Sequence, residues 1–182
     1  MSTIVLIGAS GSGKSTIENE LNNYGFRKIV SYTTREPRDG EKNGKDYWFV
    51  TKDTFKDMLA EGLFAEYEEY FQGRFYGTLK SDYVEGDNVA VLTPNGIRQL
   101  KRNLPNADIY SVLVEANLGT RILRYINRVG LDKFDYDDKT EICNRTERDW
   151  SMFLGMDKEV NLVVDNNYNR NIKDVVSDIL NA

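Results

Sequence analysis

The segment Gly8–Ser15 constrains this chain more than any other, because it matches the pattern G-x-x-x-x-G-K-[ST] at every fixed position. The apolar run Thr3–Ile7 precedes it, and residues that favour a helix follow it. In such a strand–loop–helix unit, backbone N–H groups and the helix N-terminus face phosphate oxygens. The lysine reaches the β- and γ-phosphates, and the hydroxyl after it is a ligand for Mg²⁺. The pattern therefore predicts a site for a nucleoside triphosphate and Mg²⁺, the latter at Ser15. The expected contacts are Gly8, Ala9, Ser10, Gly11, Ser12, Gly13, Lys14, Ser15 and Thr16.

Charge and histidine content narrow the class of ligand. The chain has 182 residues, a net charge of −5 and no histidine. Proteins that bind nucleic acid are usually basic, so a small anionic ligand held by a few arginines fits better than a nucleic acid. The lack of histidine excludes Ser-His triads and histidine-ligated metals. The remaining candidates for the chemistry are lysine, arginine, carboxylates and Mg²⁺.

The shares of hydrophobic residues and cysteines indicate how many domains the chain forms and in which cellular compartment we expect it. A hydrophobic share of 40% is enough for the core of one domain, and the apolar runs are too short to cross a membrane. Cys143 is the only cysteine, which rules out an internal disulfide, and we expect it to be a small core residue beside Ile142. We expect a cytoplasmic protein without a signal peptide.

Strand-like apolar runs alternate with helix-like segments along most of the chain. Strands are expected at Thr3–Ile7, Arg27–Ser31, Val89–Leu92, Ile109–Val114 and Leu162–Val164. Helices are expected near Ser15–Asn23, Asn95–Arg102, Leu118–Asn127, Lys139–Phe153 and Ile172–Leu180. Unalternated β-branched strands are typical of parallel sheets buried on both faces. The pattern predicts an α/β protein, a P-loop NTPase fold with a central parallel sheet flanked by helices.

Two segments interrupt this alternation. The first, Tyr32–Val84, is rich in tyrosine, phenylalanine, glycine and charged residues, and we expect it to form a small inserted α+β subdomain. The second, Val129–Asp138, is acidic and contains a glycine, which favours an exposed lid turn. Within the first segment the expected elements are strands at Tyr47–Val50, Phe64–Tyr67 and Arg74–Tyr76 and a helix at Lys52–Glu61.

A second site for an anion is suggested after the second predicted strand. Arg35 and Arg38 lie three residues apart around Pro37, and their forked donors suit recognition of a phosphate. Ser31 and Tyr47 add hydroxyl groups nearby. From these residues alone, a solvated loop with ordinary charges is an equal alternative.

Three segments, in this order along the chain, resemble those of guanylate kinases. The phosphate loop comes first, and the stretch from Ser31 to Phe49, SYTTREPRDGEKNGKDYWF, resembles the family's GMP-phosphate signature. Phe64–Tyr67 and Phe75–Thr78 resemble its guanine-binding segment. The resemblance is strong over residues 3–82 and looser beyond them. It implies a nucleoside monophosphate kinase that transfers the γ-phosphoryl group of ATP to GMP or dGMP, with Mg²⁺ as cofactor.

The resemblance also implies roles for individual residues. Glu66 would accept hydrogen bonds from guanine N1–H and N2–H, and the Thr78 hydroxyl would donate to O6. The substrate-binding residues it implies are Ser31, Arg35, Arg38, Tyr47, Glu66, Tyr76, Gly77 and Thr78. The catalytic residues it implies are Lys14, Arg35, Arg124, Arg128 and Arg145, with Arg148 a weaker candidate and Asp165 near adenine. Arg121, Arg124 and Arg128 share one helix face by their spacing.

The implied layout is a single guanylate kinase-like domain. Its core would contain residues 1–31, 85–126 and 146–182, its GMP-binding subdomain residues 32–84, and its lid residues 127–145. Its partners would be the nucleotides ATP and GMP or dGMP, without nucleic acid or membrane, and it would be a monomer or homodimer.

The stretch Ala90–Gly96 departs from the family pattern. Guanylate kinases usually read Leu-Asp-x-Asp-x-x-Gly here, whereas this chain has Val91 and Thr93 in place of the aspartates. One such acid would help order Mg²⁺ and its waters, and another would help hold guanine. A kinase with a different or broader acceptor, such as another deoxynucleoside monophosphate or a phosphorylated sugar, is therefore an alternative. A non-catalytic binding module of this fold is a further alternative, which the intact phosphate loop disfavours.

Overall fold

The computed structural model describes residues 3–71, 73–84 and 86–182. Its strands are β1 (Thr3–Ile7), β2 (Arg27–Lys28), β3 (Tyr32–Thr33), β4 (Trp48–Phe49), β5 (Phe64–Phe71), β6 (Arg74–Leu79), β7 (Asn88–Val91), β8 (Ile109–Glu115) and β9 (Leu162–Asp165). Its α-helices are α1 (Lys14–Asn23), α2 (Lys52–Ala60), α3 (Pro94–Asn103), α4 (Leu118–Val129), α5 (Tyr136–Phe153) and α6 (Ile172–Leu180). The predicted α/β class, with a central parallel sheet flanked by helices, is confirmed.

The strands form two sheets. The larger has the order β2-β7-β1-β8-β9, and β1 is buried along its whole length. The smaller has the order β4-β3-β6-β5, with β6 antiparallel to both of its neighbours. Contacts group the described residues into two compact units, one with residues 3–5 and Phe26–Ile109 and the other with Leu6–Gly25 and Tyr110–Ala182. The division into core, subdomain and lid inferred from the sequence stays a prediction.

Each unit has its own apolar core. In the first, Phe55 of α2 is fully buried and stacks on Phe64 with 4.4 Å between ring centroids. In the second, α1 packs against α6 through buried side chains such as Leu21 and Val176. The helical spacing of these apolar residues gives each helix one buried face.

Most predicted elements are within two residues of the observed bounds, and larger differences occur in three parts of the chain. The strand expected at Arg27–Ser31 is divided, because the chain leaves the larger sheet after Ile29 and joins the smaller one as β3. The β5–β6 hairpin is longer than expected, because β5 extends to Phe71 and β6 to Leu79. The pairing of the two strands is irregular near both ends of β5. Helix α5 begins at Tyr136 rather than Lys139, because Asp135 and Asp138 form a capping box.

Cys143 was expected in the core, and this is wrong. Its side chain is exposed on α5. Cys143 lies on the exposed side of α5 with Asn144 and Glu147, whereas the buried residue of this helix is Asp149.

Candidate nucleotide-binding sites

The phosphate loop, Gly8–Ser15, lies between β1 and α1 as its pattern predicts. Two of its glycines are required by close packing as well as by backbone shape. A Cβ on Gly8, which has φ +154°, would lie 2.4 Å from the carbonyl oxygen of Val114. A Cβ on Gly13, which has φ +99°, would lie 2.3 Å from Asn166 Nδ2. Glycine is therefore needed at both ends of the loop.

Lys14 folds back across the loop. Its Nζ donates to the carbonyl oxygen of Gly8 at 2.7 Å and to that of Ala9 at 3.0 Å. Burial of the ammonium group lowers the pKa of Lys14 to about 8, while the negative charge of Asp149 opposes this shift. Lys14 is thus held as a poorly solvated cation at the loop, which is the state that a phosphate would stabilise.

Ser10 of the loop is bound through its N–H, its carbonyl oxygen and its hydroxyl group. Its N–H donates to Asp149 Oδ2 at 2.8 Å, and its carbonyl oxygen accepts from Arg121 Nε at 2.8 Å. Arg121 Nη2 also contacts Asp149 Oδ2 at 2.5 Å, and Arg145 Nη1 donates to Ser10 Oγ at 3.0 Å. Asp149 is 2% exposed, so this ion pair is withdrawn from water. Helices α4 and α5 therefore hold the first half of the loop in place.

Arg124 binds the second half of the loop. Its Nη1 donates to the carbonyl oxygens of Gly11 and Ser12, and its Nη2 donates to that of Asn166. Burial lowers the pKa of Arg124. Asn166 is itself buried and donates from Nδ2 to the carbonyl oxygen of Ser12 at 2.8 Å. Asp165 lies beside it but is exposed and accepts a hydrogen bond from Asn167, so the residue that the structure brings to the loop is Asn166.

The other two arginines predicted to be catalytic, Arg128 and Arg145, lie beside the same aromatic ring. The guanidinium groups of Arg128 and Arg145 lie 5.0 Å and 5.8 Å from the centre of the Tyr125 ring. Arg145 also pairs with Glu141 one turn earlier in α5, and the Tyr125 hydroxyl donates to Asp138 at 2.9 Å. Arg121, Arg124 and Arg145 therefore contact the loop directly, while Arg128 is exposed beside them.

The donor set of the loop fits a magnesium–phosphate group. Ser15 is exposed in the first turn of α1, and its hydroxyl is the oxygen ligand that Mg²⁺ prefers. The Ser12 hydroxyl is buried and without a hydrogen-bond partner in the described structure. Within residues 3–71, 73–84 and 86–182, no three His, Cys, Asp or Glu side chains group as a metal centre. Mg²⁺ often binds through few protein ligands, with phosphate oxygens and waters as the others.

The first compact unit brings together three of the predicted phosphate contacts. Arg35 is buried, its guanidinium group lies 5.2 Å from the centre of the Tyr47 ring, and it hydrogen bonds to Tyr76. Nη1 and Nη2 of Arg35 also pair with both carboxylate oxygens of Glu41, at 2.8 Å and 3.0 Å. Burial acts to lower the pKa of Arg35, but its hydrogen bonds to Glu41 and Tyr76, together with the charges of these two groups, outweigh burial and raise the pKa. Arg35 is therefore a fixed, permanently charged donor.

The remaining predicted phosphate contacts are less enclosed. The side chain of Arg38 is exposed, although its backbone N–H donates to Glu41 at 2.7 Å. Ser31 is half-buried, and its carbonyl oxygen accepts from the N–H of Trp48. Gly77, which was predicted as part of the guanine-binding segment, is buried and pairs with Tyr32 and Tyr67 in the centre of the smaller sheet.

Glu66 is a buried carboxylate in the same unit. It is 5% exposed, and the Thr78 hydroxyl donates to its Oε1 at 2.8 Å. Burial raises the pKa of Glu66 to about 7, hydrogen bonds from Thr78 oppose this, and the charge of Glu68 adds to it. Because Thr78 gives its single proton to Glu66, the Tyr83 hydroxyl at 2.8 Å must donate to Thr78. Thr78 thus orients Glu66, and its predicted hydrogen bond to a base would require the hydroxyl to turn.

Several of these residues were given no role from the sequence, namely Asp149, Glu41 and Tyr83. Asp149 follows Arg145 by one helical turn, a spacing that places both on one face of α5. That spacing is the only signal in the sequence that could have indicated it. The roles of the other two become recognisable only through contacts made in the folded chain.

Comparison with known proteins gives a consistent result. The model of the family described as guanylate kinase matches residues 1–168. A guanylate kinase of Koribacter versatilis is 45% identical over 113 residues, which are 58% of this chain and 48% of that protein. One of Lactobacillus delbrueckii subsp. bulgaricus is 38% identical over 125 residues, which are 64% of this chain and 60% of that protein. The chain thus spans about half to three fifths of the length of these curated relatives.

The fold has a similar counterpart among solved structures. The crystal structure of guanylate kinase from Anaplasma phagocytophilum superposes with a TM-score of 0.69 at 22% identity, over 99% of this chain and 82% of that one. Across the described residues, no helix combines the length and apolar character needed to span a bilayer.

Proposed function

This chain belongs to the guanylate kinase family, and on that basis we propose that it transfers the γ-phosphoryl group of ATP to GMP or dGMP. The products are ADP and GDP or dGDP. The observation that carries the proposal beyond nucleotide binding is the buried carboxylate of Glu66, which lies in the same unit as the Arg35, Tyr47 and Tyr76 cluster. A phosphate loop alone supports ATP binding, whereas this second set supports a guanine nucleotide as the acceptor.

Transfer of a phosphoryl group requires positioning and neutralisation of charge more than covalent chemistry. Lys14 and the loop amides hold the β- and γ-phosphates in this proposal. Ser15 holds Mg²⁺, which neutralises charge on the phosphates. Arg124, Arg128 and Arg145 stabilise the charge that spreads over the transferring group and help to exclude water. Their positions at and beside the loop support these roles.

Guanine selection follows from the hydrogen-bonding pattern of the base. Ionised Glu66 accepts from guanine N1–H and N2–H, whereas adenine has an acceptor at N1 and would leave Glu66 unpaired. A polar site of this kind discriminates by about 10⁴-fold. Arg35, Arg38, Tyr47 and Tyr76 hold the acceptor phosphate, and Arg35 is pre-oriented for this by Glu41. Tight orientation of the guanidinium group lowers the entropy lost on binding.

An alternative is a kinase with a broader (deoxy)nucleoside monophosphate range. It is favoured by Thr93, which stands where the family usually has an aspartate. We further propose that the protein acts in the cytoplasm as a monomer or homodimer. Its net charge of −5 and single cysteine support a soluble setting without nucleic acid.

A panel of acceptors tests the proposed function. ADP release is measured with GMP, dGMP, AMP, CMP and dTMP at equal concentrations, each with MgATP. We expect the two guanine nucleotides to be used at least about 100-fold better than the others, because only they present N1–H and N2–H together. Equal use of AMP or dTMP would contradict the role of Glu66, and no turnover of any acceptor would contradict the kinase activity.

A further inference from the structure

One face of the β5–β6 hairpin carries a second carboxylate beside Glu66. Strands β5 and β6 are antiparallel, with Glu66 opposite Thr78 and Glu68 opposite Tyr76. Residues opposite each other in antiparallel strands share a face, and so do residues two apart in one strand. Glu66, Glu68, Tyr76 and Thr78 therefore share one face, which we call the acidic hairpin face. The charge of Glu68 is close enough to contribute to the raised pKa of Glu66.

The same face meets the N-terminus of α3. The Thr93 hydroxyl donates to Glu68 Oε2, and Thr93 Oγ1 accepts from the N–H of Gly96 at 3.0 Å. A Cβ built on Gly96 would lie 2.9 Å from Glu66 Oε2. Both carboxylates therefore converge on the first turn of α3, one beside Thr93 and the other beside Gly96.

Thr93 is one of the two positions where this chain lacks an expected aspartate. Its hydroxyl cannot replace a carboxylate as an acceptor for two donors, because it already accepts from Gly96 and gives its proton to Glu68. What it does is fix the carboxylate of Glu68 at this point. The negative charge missing from position 93 is thus supplied by the neighbouring strand β5.

We propose that Glu68 is a specificity-determining residue that accepts a hydrogen bond from the 2-amino group of guanine. This inference rests on the proposed function. The donor edge of guanine has three hydrogens, one on N1 and two on the 2-amino nitrogen. Glu66 takes the N1 hydrogen and one amino hydrogen, and Glu68 takes the other. Binding such an edge also relieves the unfavourable proximity of two carboxylates, which no acceptor-rich base can do.

A substrate with hypoxanthine as its base distinguishes the role of Glu68 from that of Glu66, because hypoxanthine keeps N1–H and lacks the 2-amino group. The experiment measures kcat/KM for GMP and for IMP in the full-length protein and its variants. The wild type should prefer GMP by at least tenfold. Glu68→Ala should lower kcat/KM for GMP at least tenfold while changing that for IMP less than threefold. Glu68→Gln, which keeps an acceptor oxygen, should restore part of the preference.

Two further variants give the controls. Glu69→Ala removes a carboxylate that is next in sequence but lies on the opposite face of β5, so it should leave the GMP to IMP ratio unchanged. Glu66→Gln should reduce the use of both substrates, because both present N1–H. Thr93→Val should lower the GMP to IMP ratio as Glu68→Ala does, and Thr93→Ser should not.

The outcomes distinguish the inference from the proposed function. A wild type that prefers GMP, with an unchanged GMP to IMP ratio in Glu68→Ala, overturns the inference alone. Equal losses for GMP and IMP in Glu68→Ala also overturn it, since they indicate a structural role. A wild type that phosphorylates neither nucleotide overturns both.

Discussion

Glu66 is an ionisable side chain held where ionisation is unfavourable. Its carboxylate is buried, faces another carboxylate, and has a pKa of about 7 in place of the ordinary 4.5. A buried group of this kind persists in a fold when a ligand can satisfy it, and sites of strongly shifted pKa are often functional. The donor edge of guanine would satisfy it, and binding would then favour the ionised form.

We expect Glu66→Gln to stabilise the ligand-free protein at high pH. The folded pKa of Glu66 lies above the unfolded one, so the folded state binds this proton more tightly. Stability from this group is complete below pH 4.5 and is lost as the pH rises through about 7. At pH 8 the variant should therefore have a free energy of unfolding about 1–3 kcal/mol higher than the wild type.

Urea unfolding at pH 5 and pH 8 measures this difference. At pH 5 the two proteins should be nearly equal, because Glu66 is then mostly protonated in the folded state. Glu69→Gln, at an exposed position, serves as the control and should show no such change. The same difference at both pH values would mean that Glu66 does not titrate near neutral pH.

At the scale of elements, α4 and α5 act on the phosphate loop through a buried ion pair. Asp149 from α5 and Arg121 from α4 both bind Ser10, through its N–H and its carbonyl oxygen respectively. The loop consists mostly of glycine, alanine and serine, whose small side chains make few packing contacts. Its conformation therefore depends on these neighbouring residues. A buried ion pair of this kind contributes specificity of structure, and losing one partner leaves an uncompensated charge.

Breaking this pair should be costly. Asp149→Ala leaves the half-buried Arg121 beside Lys14 without its partner, and we expect a loss of about 3 kcal/mol in the free energy of unfolding. The matched control is Asp178→Ala, which removes the exposed partner of Arg170 in a surface ion pair. That variant should have a free energy of unfolding close to that of the wild type, because exposed ion pairs contribute little. Equal losses in urea titrations would show that burial of the Asp149 pair has no energetic consequence.

In the whole molecule, the residues predicted to contact ATP and those predicted to contact the acceptor nucleotide belong to different compact units. All residues predicted to contact ATP lie in the unit of Leu6–Gly25 and Tyr110–Ala182. All residues predicted to contact the acceptor nucleotide lie in the unit of residues 3–5 and Phe26–Ile109. Each ligand should therefore stabilise the fold through its own set of residues.

Thermal unfolding with single nucleotides tests this division. A ligand at 100 times its dissociation constant adds about 2.7 kcal/mol, which corresponds to a rise of roughly 5–10 °C in Tm for a chain of this size. Lys14→Met should abolish the rise caused by MgATP and keep that caused by GMP. Arg38→Met, at an exposed position, should do the reverse. Loss of both responses in either variant would contradict separate sites.

The amino-acid sequence was enough to identify the phosphate loop, the alternation of strands and helices, and the family resemblance that the family match confirmed. These features depend on local patterns: β1 and α6 have the bounds expected from their apolar periodicity, and the loop is contiguous. Contacts between side chains far apart in the sequence, such as Asp149 with Ser10 and Glu68 with Thr93, could be identified only from the folded chain. The residues next to a carboxylate in the sequence do not indicate its partner, because its burial and pairing depend on how distant elements pack. For the same reason periodicity did not reveal that Asp149 of α5 is buried and that Cys143 is exposed.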